Sequence, residues 1–126
     1  MIARVRPQFR IDDGRHNVNN PDDDQPRFWR DDALPFLEAR AVADGRKVCY
    51  AAHCHETFSI GAITAGASTY FNGDARARIS RGTLVLINPQ TVHACNPIDG
   101  QPWSYLMFYV DAHWLGALRE RLALQV

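Results

Sequence analysis

The 126-residue chain lacks several features that mark large classes of proteins. It contains no run of 18 apolar residues, so no membrane-spanning helix and no membrane partner are expected. Its first residues contain no apolar secretory leader. Its three cysteines, Cys49, Cys54 and Cys95, form no CxxC pair, which disfavours a disulfide framework and favours a cytoplasmic location. The 14 basic and 14 acidic residues cancel, which is untypical of domains that hold nucleic acid by charge.

Apolar residues are also scarce between Asp12 and Pro26. Val18 is the only aliphatic side chain there, among five aspartates, three asparagines and two prolines. Such a stretch buries too little apolar surface to offset the entropy lost on ordering. We predict that residues 1–27 form a mobile arm; a leader without a role is the alternative.

The rest of the chain is rich in short runs typical of strands. Such runs occupy residues 36–42, 47–53, 57–70, 75–79, 83–87 and 103–110. The dipeptides Asp44-Gly45 and Asn72-Gly73 are typical of β-hairpins, and each lies between two of these runs. This spacing predicts an all-β fold of the sandwich or jelly-roll type.

The pattern changes to that of a helix after residue 110. Asp111 can cap a helix that begins near Ala112. Leu115, Leu118 and Leu122 then follow at helical spacing and form one apolar stripe. The stripe predicts a homodimer in which two such helices pack together; the alternative is that the stripe packs on its own barrel.

Three histidines are the first candidates for a site. His53 and His55 are two residues apart, so in a strand both imidazoles would face the same space, together with the small Ser59. His93 follows the Asn88-Pro89 turn. Three histidines from two strands can form a metal site with open positions. The alternative is that they are hydrogen-bonding walls of a pocket without a metal.

The aromatic run at residues 103–110 supplies further candidates. In a strand, Tyr105, Met107 and Tyr109 share one face, which combines bulk with hydroxyl groups and suits a ligand wall. Leu106 and Phe108 share the opposite face and are expected to belong to the core.

These motifs together resemble a known family. The series runs His53-x-His55, Gly66, Gly82, Leu84 to Pro89, His93, Asn96, Trp103-x-Tyr105 and Tyr109-x-Asp111. It is similar to a cupin and, more narrowly, to the N-terminal effector-sensing domain of AraC-family transcription regulators, over roughly residues 29–122. The resemblance implies a cupin-like double-stranded β-helix at residues 28–110, with pocket contacts near Cys95, Tyr105 and Met107. It also implies a dimerising helical segment from residue 111 to 126 and a C-terminal domain that reads DNA with two helix-turn-helix motifs.

Two departures from the family pattern affect these expectations. Metal-binding cupins usually place a glutamate four residues after the second histidine, where this chain has Ser59. The metal set of His53, His55 and His93 is then incomplete, and we expect no cofactor, a divalent metal being the alternative. The helix-turn-helix part is also absent, so DNA is expected to be a partner only through a domain outside this chain.

The sequence thus predicts a sensor rather than an enzyme. A small-molecule effector would bind in the barrel and control DNA binding by the absent domain. The alternative is a small metal-dependent cupin enzyme of the dioxygenase or isomerase type. The candidate ligand-binding residues are His53, His55, Ser59, His93, Cys95, Tyr105 and Met107.

Overall fold

The computed structural model describes residues 26–48, 52 and 54–122. Within them the chain forms seven strands and one α-helix, with the following bounds: β1 (Arg27–Arg30), β2 (Leu37–Val42), β3 (Phe58–Asn72), β4 (Ala75–Ser80), β5 (Leu84–Ile87), β6 (His93–Pro97), β7 (Trp103–Val110) and α1 (Ala112–Arg121). Of the predicted arm at residues 1–27, only Pro26 and Arg27 are among the described residues, and Arg27 opens β1. None of the described helical segments is long and apolar enough to cross a membrane.

The strands form two antiparallel sheets that share the long strand β3. In the first sheet the order is β1-β2-β7-β3-β5, and in the second sheet β4 and β6 pair with the distal half of β3. The β3–β7 register shifts between Ile63 and Ala65, just before Gly66. Gly66 has φ +69°, and a Cβ there would lie 2.4 Å from the carbonyl oxygen of Pro102. A glycine is therefore required where β3 passes from one sheet to the other.

Of the two predicted hairpin turns, one is right and one is wrong. Asn72-Gly73 joins β3 to β4, as predicted, with Gly73 at φ 56°. Asp44-Gly45 instead begins a 3₁₀ turn, Gly45–Lys47, in which the Asp44 side chain accepts a hydrogen bond from the Arg46 amide. β2 pairs with β1 on one side and with β7 on the other, so it forms no hairpin with the segment after this turn.

The helix starts where the sequence predicts. Asp111 Oδ1 accepts a hydrogen bond from the Trp114 amide at 2.7 Å, which satisfies one of the unpaired donors of the first turn. The Trp114 ring stacks on Phe36 with 3.8 Å between ring centroids, and this contact holds the first turn beside the start of β2. No side chain of α1 is buried, and Leu122 just beyond it is 58% exposed. Of the leucine stripe, Leu115 and Leu118 are half-buried and Leu122 is exposed.

The hydrophobic core lies between the two sheets and inside the barrel. Its members alternate along the strands, as the two-residue period of a strand requires. They are Val42, Ile63, Ile79, Val85, Ile87, Trp103 and Tyr105. Leu106 and Phe108 do not belong to it, so the prediction that they form core is wrong. They face outward from β7 and are half-buried, because the inward positions of that strand belong to Tyr105 and its neighbours at spacing two.

Candidate functional site

A cavity of about 50 Å³ lies inside the barrel. Every strand from β2 to β7 contributes at least one inward-facing side chain to its wall. The polar or ionisable members of the wall are Arg40, His55, His93, Cys95, Trp103, Tyr105 and Tyr109. The remaining members are apolar, so polar groups converge on a mainly apolar space, as in many small-molecule sites.

One row of this wall follows the register of the first sheet. Arg40 on β2 lies opposite Met107 on β7, Met107 lies opposite Gly61 on β3, and Gly61 lies opposite Val85 on β5. A Cβ on Gly61 would come within 3.0 Å of Met107 Cε. Gly61 therefore leaves the room that the Met107 side chain occupies.

Two histidines and a tyrosine meet at one end of the cavity. The His55 ring centroid lies 5.1 Å from that of His93 and 5.2 Å from that of Tyr109. These residues come from the loop before β3, the start of β6 and the end of β7. The Gln90 amide donates a hydrogen bond of 2.7 Å to the His55 carbonyl oxygen, which ties the two histidine-bearing loops together.

The hydrogen bond of His93 determines its tautomer. His93 Nδ1 lies 2.9 Å from the carbonyl oxygen of Thr91. Because a carbonyl oxygen only accepts, Nδ1 carries the proton, and Nε2 of the neutral ring carries the lone pair. Nε2 is then the nitrogen suited to accept a hydrogen bond or bind a metal ion.

The predicted metal set is only partly described. His53 lies outside the described residues, and among the described residues no three His, Cys, Asp or Glu side chains are grouped closely enough to hold a metal. Ser59 faces inward on β3, opposite Ile87 and Tyr109, but is not part of the cavity wall. Its Oγ is buried without a hydrogen-bond partner in the described part of the chain. The described residues therefore do not fit a metal ion by themselves.

The other three candidates all lie on the cavity wall. Tyr105 stacks on Trp103 with 4.8 Å between ring centroids, and Met107 lies in the row described above. Burial raises the pKa of the Cys95 thiol to about 11, so the group stays protonated at neutral pH. A neutral thiol is a soft, weakly polar wall group rather than a nucleophile or a thiolate ligand.

Arg40 is the main site residue that sequence reasoning missed. Only 9% of it is exposed, and its guanidinium carbon lies 5.5 Å from the centroid of the Phe28 ring. The sequence feature that could have identified it is the position of this arginine in the middle of the otherwise largely apolar segment 37–42. The strand argument for His55 is also wrong, since β3 begins only at Phe58 and His55 is held by its loop.

Comparison with known proteins identifies the family. The family model of the AraC-like ligand binding domain matches residues 37–125. The chain belongs to this family. The match covers six of the seven described strands and the helix, and therefore the whole of the described cavity wall. No curated protein matches the chain.

Solved structures with cupin barrels are similar to this AraC-like domain. A Cupin 2 conserved barrel domain protein from Salinispora arenicola has a TM-score of 0.61 at 15% identity, over 77% of this chain and 83% of that one. KdgF from Halomonas sp. has a TM-score of 0.58 at 20% identity, over 79% and 93%. DMSP lyase DddQ from Ruegeria pomeroyi has a TM-score of 0.51 at 26% identity, over 59% and 38%. These similarities confirm the predicted jelly-roll barrel of the cupin type.

Proposed function

We propose that this AraC-like ligand binding domain senses a small-molecule effector and controls transcription in the cytoplasm through a DNA-reading domain outside this chain. The observation that carries the proposal is the cavity inside the barrel, where His55, His93 and Tyr109 converge within a mainly apolar wall. In this proposal the coding sequence continues beyond residue 126 into two helix-turn-helix motifs. The isolated domain then binds no specific DNA site.

The connection between the cavity and α1 supports a sensing role. Tyr109 on the cavity wall and Asp111, which caps α1, are separated by one residue. The Asp111 amide donates a hydrogen bond of 2.9 Å to the Phe36 carbonyl oxygen, and Trp114 stacks on the Phe36 ring. A ligand that contacts Tyr109 thus acts close to the anchor of the helix. We expect the effector to favour one position of α1 over another, which is how a ligand shifts a two-state equilibrium.

Self-association is part of the same proposal. The leucine stripe of Leu115, Leu118 and Leu122 lies on a helix without a buried side chain. Two copies of this helix related by a two-fold axis would cover both stripes in one isologous interface. A sensor that changes the position of α1 would then change how two DNA-reading domains are presented.

Binding of small molecules tests the sensing function directly. A panel of neutral and charged metabolite-sized compounds is screened by thermal shift, and each stabilising compound is then titrated by calorimetry. Gly61→Val is expected to lower the affinity of a true effector at least about tenfold, because even a Cβ there would crowd Met107 within the cavity. Gly116→Ala is the control, since a Cβ at Gly116 meets no atom within 4 Å. Compounds that bind both variants equally do not occupy the cavity, and a panel without any binder would contradict the proposal.

A metal-dependent cupin enzyme is the competing function. The observation that favours it is the pairing of His55 with His93, whose Nε2 carries the lone pair. DMSP lyase DddQ shows that an enzyme has a similar fold. We nevertheless expect no tightly held metal, because Ser59 occupies the position at which metal-binding cupins carry a carboxylate. Metal analysis after dialysis against a chelator is the measurement, and stoichiometric zinc, iron or nickel would favour the enzyme.

A further inference from the structure

Strand β5 lies at one end of the first sheet. Among the described residues it pairs with β3 alone, which leaves its other edge open. Natural sheets usually protect such an edge with a charged residue, a proline or a covering segment, because its backbone groups can otherwise pair with another chain. The four residues of β5, Leu84–Ile87, are all apolar and include neither a charge nor a proline. The edge is therefore suited to pair with a second strand.

The hydrogen bonds just before β5 show how its backbone is oriented. The Ile63 amide donates to the Thr83 carbonyl oxygen, and the Gly82 amide donates to the Ile63 carbonyl oxygen, both at 3.0 Å. Hydrogen-bonded positions alternate along an antiparallel pair. The next bonded position is therefore Val85, which lies opposite Gly61 on β3. The backbone groups of Val85 thus point toward β3.

The backbone groups of Leu84 and Leu86 point the other way, to the open edge. No backbone hydrogen bond from the described loops and turns reaches them. Their side chains are 69% and 63% exposed, so the described part of the chain does not cover the outer face here either. The edge therefore offers N–H donors, C=O acceptors and two uncovered leucines.

This edge is complementary to itself. When two copies of β5 run antiparallel with Val85 on a two-fold axis, Leu84 of each copy lies opposite Leu86 of the other. Opposite residues of antiparallel strands share a face, so leucine meets leucine on the outer face, and each N–H donor faces a C=O acceptor. Arg81, the closest charged residue in the sequence, then lies opposite Pro89 of the second copy, so like charges do not meet.

We propose that β5 pairs with β5 of a second copy, so that the first sheets of the two copies join into one sheet across a two-fold axis. Val85 also lines the cavity, so the axis runs between the cavities of the two copies. This contact is separate from the one proposed for α1 and does not depend on the sensing function. A strand of four residues buries much less than the roughly 1,600 Å² of a standard interface, so the association is weak.

Sedimentation equilibrium into the millimolar range tests the pairing on the full chain. Leu118→Glu removes the contact proposed for α1, and this variant is expected to dimerise through β5. Adding Leu86→Lys is expected to weaken that association at least about tenfold, because it places a charge on the edge beside the axis. Leu34→Lys adds the same charge at another exposed leucine, away from β5, and serves as the control. A Leu118→Glu chain that remains a folded monomer by circular dichroism, or association that Leu86→Lys leaves unchanged, overturns the proposal.

A disulfide tests the register while α1 remains unchanged. In this register the two copies of Val85 form a non-hydrogen-bonded pair with Cα atoms about 4.5 Å apart, which is within the range of a disulfide. Val85→Cys is expected to form a disulfide between copies under mild oxidation, with mass spectrometry locating the joined peptides. Ile63→Cys is buried to a similar extent on the central strand β3 and should form none. If the bond at position 85 does not form, or forms no faster than one at position 63, the β5 pairing is wrong.

Discussion

Both faces of the first sheet carry apolar side chains, but only the inner face also surrounds a cavity. Its inner face carries Arg40 and Tyr109 around a cavity, whereas its outer face carries apolar side chains such as Leu84 and Leu86. These two leucines are 69% and 63% exposed. An ordinary antiparallel sheet turns apolar residues inward and polar residues to water. Here the inner face combines this apolar packing with polar groups around a cavity, and the outer face departs from the pattern by leaving two leucines in water.

The largest expected effect comes from comparing adjacent positions of β5. Ile87 is 2% exposed and belongs to the inner face, whereas Leu86 belongs to the outer face. Ile87→Ala is expected to lower the free energy of unfolding by about 2–5 kcal/mol, because it leaves a cavity in the core. Leu86→Ala is expected to change it by less than about 0.5 kcal/mol. Urea unfolding followed by tryptophan fluorescence measures both, and similar losses at the two positions would contradict the difference between the faces.

The next effect concerns the stripe on α1. Leu118→Glu is expected to weaken self-association at least about tenfold, since a buried leucine contributes roughly 1.5–3 kcal/mol. Ala117→Glu adds the same charge at an exposed position of the same helix and serves as the control. Sedimentation equilibrium across the micromolar range gives the association constants. If the unchanged chain is a monomer at high micromolar concentration, the dimer prediction is wrong.

The smallest expected effect concerns the rate at which the buried thiol of Cys95 is alkylated. Burial raises the pKa of Cys95 to about 11, so near pH 8 only about one thiol in a thousand is the reactive thiolate. Iodoacetamide is expected to modify Cys95 at least about tenfold more slowly than the partly exposed Cys54, with mass spectrometry locating the label. The rate at Cys95 should rise as the pH approaches 11. Equal labelling rates of Cys95 and Cys54 at pH 8 would show that Cys95 is not enclosed. A bound effector is expected to slow the labelling of Cys95 further.

The local signals in the sequence predicted much of the fold because each depends on neighbouring residues. The run at 103–110 has the bounds of β7, Asn72-Gly73 joins two strands, and Asp111 caps the helix. Asp44-Gly45 is also a hairpin dipeptide, though Asn72-Gly73 is the stronger signal, and it forms a 3₁₀ turn instead. Gly45 packs so closely on Trp103 that a Cβ there would lie 2.2 Å from the indole ring.

For the site, the sequence by itself determined the candidates, and the tertiary structure decided how they are arranged. Resemblance to the family indicated Cys95, Tyr105 and Met107, all of which lie on the wall, whereas Arg40 was not indicated. Within β2 the apolar set at residues 37, 39 and 41 alternates with the set that contains Arg40. The usual rule turns the apolar set inward and leaves the arginine in water. Strand periodicity defines two faces but does not say which is inside; the closure of the sheet into a barrel decides this, and it places Arg40 on the cavity wall.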